Sequence, residues 1–235
     1  MKMIRKHFWL LLLVFGLAKA EPENITMGDL ALTHPICFHV QAIPITGWTR
    51  LARESPQSNY WDAKIGGSEM LWAMHHYCWA LIHLRRADGP SVTPEERKYL
   101  RGVAISDFYY VVRHAQRLSN PASFLMLPEI LHRIGDAYAL LENTSGAITA
   151  YEQARTVKPD YWPPYLGHAQ LLEKVGLRKQ AVRALEQGLQ IMPDEPNLSA
   201  ALKRMGANPS ASRTQRQKPP ARVESAASAA AAAPR

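Results

Sequence analysis

The chain has 235 residues, of which 47% are hydrophobic, 20% charged and 9% aromatic, enough apolar material for a packed core, which excludes disorder throughout. The formal net charge of +8 raises nucleic acid as a partner. However, the ends (1–20 and 207–235) carry nine of the 28 basic residues and one of the 20 acidic ones, leaving residues 21–206 with nineteen of each. A neutral body of that kind excludes a basic nucleic-acid binder.

Residues 1–20 read as a secretory signal peptide. Lys2, Arg5 and Lys6 precede an unbroken apolar run from Phe8 to Leu17, and Ala18-Lys19-Ala20 supplies small residues ahead of Glu21. The competing reading is a membrane anchor, but ten apolar residues at about 1.5 Å each cover about half of a hydrocarbon layer roughly 30 Å thick. No cysteine follows the cleavage point to carry a lipid, and no later stretch approaches the ~20 apolar residues of a span. The expectation is an exported, periplasmic protein with no stable membrane insertion once the signal is removed.

Residues 21–58 are expected to be irregular. They hold Cys37, and the only other cysteine is Cys78. In an oxidising compartment the pair is expected to form a disulfide tying this segment to the first helix pair. Closing a loop of about forty residues stabilises by on the order of 3–4 kcal/mol in the chain-entropy account. The competing reading is two separately buried thiols.

Two helices are predicted within residues 59–127. The first runs from Ser68, as N-cap, to Arg86 through Met70, Trp72, Met74, Tyr77, Cys78, Leu81 and Leu84. The second starts at Thr93-Pro94-Glu95-Glu96, a capping residue followed by proline and two acids, and runs to Gln116. His75, His76, Cys78 and His83 on the first helix invite a metal reading. Against it, Cys78 is claimed by the helix interface and by the disulfide, and no HExxH or paired CxxC framework is present. No GxSxG, P-loop or GxGxxG motif occurs either. A non-enzymatic chain without cofactor or resident metal is expected; the alternative is a metal-dependent or enzymatic factor using His75, His76 and His83.

From Pro128 the sequence repeats with a shift of 34 residues. Gly135, Tyr138, Ala147, Tyr151, Ala154 and Pro159 occupy positions 8, 11, 20, 24, 27 and 32 of a unit spanning 128–161. Ala169, Leu172, Ala181, Leu185, Gly188 and Pro193 occupy the same positions of a unit spanning 162–195. Small residues at 8, 20 and 27 let two antiparallel helices approach, bulky ones fill the remaining space, and the prolines end each unit. Asn143-Thr144-Ser145 and Gly176-Leu177-Arg178 sit where the turns inside each pair belong. Residues 196–206 read as a polar-faced capping helix, and residues 207–235, rich in Ala, Pro, Ser and Arg, as a disordered, weakly basic tail. Such a tail can touch anionic envelope polymers or be an inert extension.

The 34-residue pattern resembles the tetratricopeptide repeat. Together with His75-His76-Tyr77-Cys78-Trp79-Ala80-Leu81, Asp107-Phe108-Tyr109-Tyr110-Val111-Val112-Arg113-His114-Ala115, Leu127-Pro128-Glu129-Ile130 and Pro159-Asp160-Tyr161-Trp162-Pro163-Pro164-Tyr165, it resembles a group of exported proteobacterial tetratricopeptide proteins. The expected fold is an all-α, tetratricopeptide-like helical-hairpin solenoid: one degenerate hairpin (59–127), two full repeats and a cap. Aligning Cys78 with position 8 places Ala104 and Phe108 at 20 and 24 if the connection is fourteen residues longer. The resemblance implies a scaffold that binds another envelope protein or peptide segment on its concave side. Groove positions 2, 5, 6, 9, 12 and 13 carry Glu129, His132, Arg133, Asp136, Ala139 and Leu140, then Pro163, Leu166, Gly167, Gln170, Glu173 and Lys174. From these Glu129, His132, Arg133, Asp136, Leu140, Leu166, Gln170 and Glu173 are taken as the candidate partner-binding residues. The Lys and Asn pairing by which chaperone-binding members hold a terminal carboxylate is missing, so that activity does not transfer. His132 is expected to face the groove and His168, at position 7, to pack between the repeats.

Overall fold

A computed structural model describes residues 22, 24–40 and 56–207; the expected signal peptide (1–20) and residues 208–235 of the expected tail lie outside them. Among the described residues the architecture is an all-α helical-hairpin solenoid. The only β-pairing among those residues is an isolated antiparallel bridge between Ile65 and Phe124. The helices are α1 (Met27–Ala31), α2 (Pro56–Ile65), α3 (Leu71–Ala87), α4 (Pro94–Ala115), α5 (Leu127–Leu140), α6 (Thr144–Val157), α7 (Pro163–Lys174), α8 (Arg178–Ile191) and α9 (Pro196–Arg204). They pair as hairpins α3/α4, α5/α6 and α7/α8, each stacked on the next, and α9 closes the end against α8 and α7.

Local chemistry explains most of the helix ends. Proline occupies the first turn of α4, α5, α7 and α9, where its missing N–H is no loss. The Thr93 hydroxyl accepts from Glu96 N at 3.1 Å, and Asn143 Oδ1 accepts from Gly146 N at 2.9 Å. Helix α5 ends with Glu142 at φ 59° and α7 with Gly176 at φ 81°. In both, the next N–H reaches back five residues, Asn143 to the Tyr138 carbonyl at 3.0 Å and Leu177 to the Leu172 carbonyl at 2.8 Å. Gly206, at φ 66°, with Ala207 N donating to the Leu202 carbonyl at 3.1 Å, repeats this ending after α9. The two 34-residue copies therefore turn through the same backbone geometry.

The small residues act as the spacing requires. Ala147, Ala154, Ala169 and Ala181 are fully buried. A Cβ on Gly135 would stand 2.5 Å from the Tyr151 ring, and one on Gly188 2.6 Å from Leu198 Cδ1, so both interfaces close to backbone contact. In the first hairpin Ala104 and Phe108 are fully buried, as their assignment to positions 20 and 24 requires. One apolar core runs from Leu30 to Ala154, a second from Tyr165 to Met205, and Ala147, Tyr151 and Leu171 pack between them.

Two expectations are corrected. The segment expected to be irregular is helical over Met27–Ala31 and 36–40, and α2 begins at Pro56. The reason is local: Thr26 and Asp29 form a capping box, each side chain bonding the other's backbone N–H. Leu30, Ile36, Cys37 and Val40 then bury completely. The helix predicted from Ser68 begins instead with a 3-10 turn, Ser68–Met70, and α3 proper starts at Leu71 with no side-chain cap. Gly66 and Gly67, both at positive φ, turn the chain after α2, and Gly67 N bonds the Asp62 carbonyl at 2.7 Å. Cys37 and Cys78 form the expected disulfide, with Cα atoms 5.6 Å apart. Asp29, almost fully buried, pairs with Arg85 and Arg86 at the C-terminal turn of α3, where positive charge also complements the helix dipole.

Candidate partner-binding face

Glu129, His132, Arg133, Asp136 and Leu140 recur every three or four residues and therefore share one stripe of α5. Glu129 is held from two sides. The Tyr77 hydroxyl of α3 donates to its Oε1 at 2.8 Å, and Arg133 Nε and Nη2 approach the same oxygen at 2.9 and 2.8 Å. Burial pushes the Glu129 carboxyl up, but the charge of Arg133 and the bonds from Tyr77 and Arg133 outweigh it, leaving the group below its ordinary value. Burial also pushes the Tyr77 phenol well above its usual range, so it remains a donor.

The next turn holds a second pair. His132 Nε2 lies 3.3 Å from Asp136 Oδ2, and the Tyr151 hydroxyl of α6 donates to Asp136 Oδ1 at 2.7 Å. His132 leans on the rings of Tyr151 and Tyr161, with centroids 5.8 and 6.3 Å away. Burial lowers its pKa, against the pull of Asp136, and its buried Nδ1 has no hydrogen-bond partner among the described residues. Tyr161 is pushed up to about 12, chiefly by burial, with Glu129 adding to the shift. His168 is buried between α6 and α7 as expected, its Nδ1 3.1 Å from Arg155 Nη2.

The stripe is thus only partly available. Glu129, His132, Arg133 and Asp136 are half-buried and bonded to one another or to tyrosines behind them, and Leu140 projects into solvent. On α7, Leu166 packs half-buried against the second core, Gln170 is exposed, and Glu173 stands 3.8 Å from Arg204 of α9. Gly167 is a correction: at a groove position by the repeat numbering, it is buried, and a Cβ there would meet the Tyr151 ring at 2.9 Å. Sequence reasoning missed Tyr77, Tyr161 and His34 as parts of this face. The last comes from the N-terminal segment and sets its ring edge-on to Tyr77, with centroids 5.7 Å apart. Tyr151 was legible only as a bulky packing position.

Of the α3 histidines, His76 and His83 both act on Asp107 of α4, and His75 does not join them. His76 Nδ1 bonds Asp107 Oδ1 of α4 at 2.7 Å, and the His76 ring stacks on Tyr110 with centroids 3.8 Å apart. His75 Nδ1 lies 3.2 Å from the Leu71 and Trp72 carbonyls of its own helix. His75 and His76 leave α3 in directions about 100° apart, and among the described residues no three His, Cys, Asp or Glu side chains are grouped to hold a metal ion. Asp107 is 2% exposed, and burial raises its pKa against the lowering effect of the His76 bond.

An apolar recess of about 510 Å³ lies where the connection after α4 meets the end of α6, lined by Phe124, Leu125, Leu127, Val157 and Pro159 among others. No family model matches the chain, and no curated protein matches it in sequence.

Proposed function

We propose that the protein is a tetratricopeptide-like, non-catalytic scaffold of the bacterial cell envelope that holds a segment of another envelope protein across α5 and α7. The observation that carries this reading is the α5 stripe. Its charged groups are half-exposed yet already fixed by Tyr77, Tyr151 and each other, so a partner meets ordered hydrogen-bonding atoms and little side-chain freedom is lost on binding. Leu140 and Gln170, exposed on neighbouring helices, extend the face with an apolar and an amide contact. Export is supported by the Cys37–Cys78 disulfide, a bond that forms and persists in oxidising compartments, and by the signal-like run at 1–20. Among the described residues no helix is long and apolar enough to cross a membrane.

The test is crosslinking in the native envelope followed by mass identification of what is captured. A joint Leu140→Glu and Gln170→Arg change alters two exposed side chains and leaves the internal pairs intact. Loss of one specific crosslinked protein with an unchanged helical signal supports the scaffold reading; capture indifferent to the change removes it. The metal-dependent alternative is tested by elemental analysis of the exported protein. Stoichiometric metal that disappears on replacing His76 and His83 displaces the scaffold reading.

A further inference from the structure

The two apolar cores meet where α6 packs on α7. Gly167 of α7 lies so close to Tyr151 of α6 that a Cβ would stand 2.9 Å from its ring. The Tyr151 ring stacks on His168, with centroids 6.2 Å apart and planes 23° from parallel. One turn further along α6, Arg155 lies over the Tyr165 ring at 5.1 Å and brings Nη2 to 3.1 Å from His168 Nδ1. A guanidinium donates from every nitrogen and accepts at none. His168 Nδ1 is therefore the acceptor, the ring proton sits on Nε2, and the folded state holds this buried imidazole neutral.

A proton on Nδ1 turns the acceptor into a second donor and sets two cations against each other in a site largely closed to water. The groups around the pair do not relieve them. On α6, Glu152 stands 3.9 Å from Arg155 and is 59% exposed, where water screens it. The Tyr151 hydroxyl is given to Asp136 of α5 at 2.7 Å. On α7, the Tyr165 hydroxyl donates to the Pro159 carbonyl at 3.0 Å, and on α8 the uncharged Gln187 meets Arg155 at 3.5 Å. Burial first, then Arg155, drive the His168 pKa down to about 4, and no carboxylate pulls it back.

We propose that Arg155 and His168 form an acid-triggered hinge: when His168 takes up a proton, α7–α9 part from α6 while α3–α6 stay folded. Separation returns both cations to water, and the terminal unit gives way first because its own core is the smaller one. Helix α7 carries Leu166, Gln170 and Glu173, so opening dismantles the α5–α7 face and frees whatever it holds. That consequence rests on the scaffold reading; the hinge itself does not.

The test is amide hydrogen exchange of the full chain at pH 7.5 and pH 5, corrected for the intrinsic pH dependence of exchange. With His168 at about 4 when closed and at its ordinary 6.5 when open, protection of α7–α9 is expected to fall about 25-fold between the two. Protection of α3–α5 is expected to stay higher than that of α7–α9 at both. His168→Gln keeps an acceptor for Arg155 and takes up no proton, and should hold the fall in α7–α9 to less than about threefold. Arg155→Met leaves the burial but removes the second cation, and should show a smaller fall than wild type. An equal fall in wild type and His168→Gln assigns the acid sensitivity to other groups and overturns the proposal. Equal protection of α7–α9 and α3–α5 at pH 5 overturns it too, since the chain then opens as one unit. If His168→Gln loses its helical signal, Arg155→Met decides, and a fall as large as that of wild type overturns the proposal. Exchange needs no partner, so a crosslinking experiment that captures nothing removes the scaffold reading and leaves the hinge to be judged by exchange.

Discussion

Single atoms decide how closely these hairpins pack. Gly135 and Gly102 are both glycines inside helices, yet a Cβ on the first lands 2.5 Å from the Tyr151 ring while one on the second meets nothing within 4 Å. Gly135→Ala is therefore expected to lower stability by about 1–3 kcal/mol through overpacking. Gly102→Ala is expected to raise it by about 0.5–1 kcal/mol by stiffening the unfolded chain and favouring helix. Thermal melts of the two variants should move in opposite directions. A second contrast lies in the turns, where the same left-handed position holds Glu142 in one copy and Gly176 in the next. Glu142→Gly should relieve about 1 kcal/mol of backbone strain and Gly176→Ala should introduce a similar amount. Melts that fail to separate these two variants would remove the claim that both turns place a residue in the left-handed region.

At the level of the elements, the contact between α6 and α7 is sensitive to acid. His168 is buried there beside Arg155, and its folded pKa of about 4 lies below the ordinary value of 6.5. The unfolded chain then binds the proton more readily, so stability rises with pH across this window. The contribution is whole above about 6.5 and is lost as pH falls toward 4. His34, His39 and His132, each lowered chiefly by burial, act in the same direction. Urea midpoints are expected to fall between pH 7 and pH 5, and His168→Leu to flatten that dependence. A slope unchanged in the variant would show that His168 is not held in its neutral form. At lower pH Glu129, depressed by Arg133 and Tyr77, adds a further loss as its carboxyl takes up a proton.

On the scale of the whole molecule, the described residues form two unequal cores joined through Tyr151. The larger runs from Leu30 to Ala154 and is tied by the Cys37–Cys78 bridge; the smaller, from Tyr165 to Met205, is closed only by α9. In a solenoid each unit is stabilised by its neighbours, so the end with less buried apolar surface opens first. Amide exchange is therefore expected to be faster throughout α7–α9 than in α3–α5, and Leu198→Ala should widen the gap by about 2–5 kcal/mol in the terminal unit. Uniform exchange across both cores would show a single cooperative unit instead. The disulfide closes a loop across 41 residues, and replacing both cysteines with serine should cost about 4 kcal/mol. That loss lowers the melting temperature by roughly 8–16 °C in a domain of this size. Alkylation of either thiol without reductant would count against the bridge.

The sequence by itself determined the helices of the C-terminal half, their turns and their small-residue interfaces. These depend on spacings of three, four and 34 residues, and the physical demands behind them, a capped helix end or a missing Cβ, are local. It also determined which residues share the α5 stripe, because that follows from 3.6 residues per turn. Only the tertiary structure decided that Glu129 is met by Tyr77, 52 residues away, that His76 is spent on Asp107, 31 residues away, and that Gly167 lies under Tyr151 instead of lining a groove. Those pairings depend on the angle and distance at which helices cross, and many side chains set these jointly. The short N-terminal helix α1 falls in the same class: five residues are too few for a periodic signal, and burial of Leu30 together with the pairing of Asp29 with Arg85 and Arg86 of α3 holds it in place.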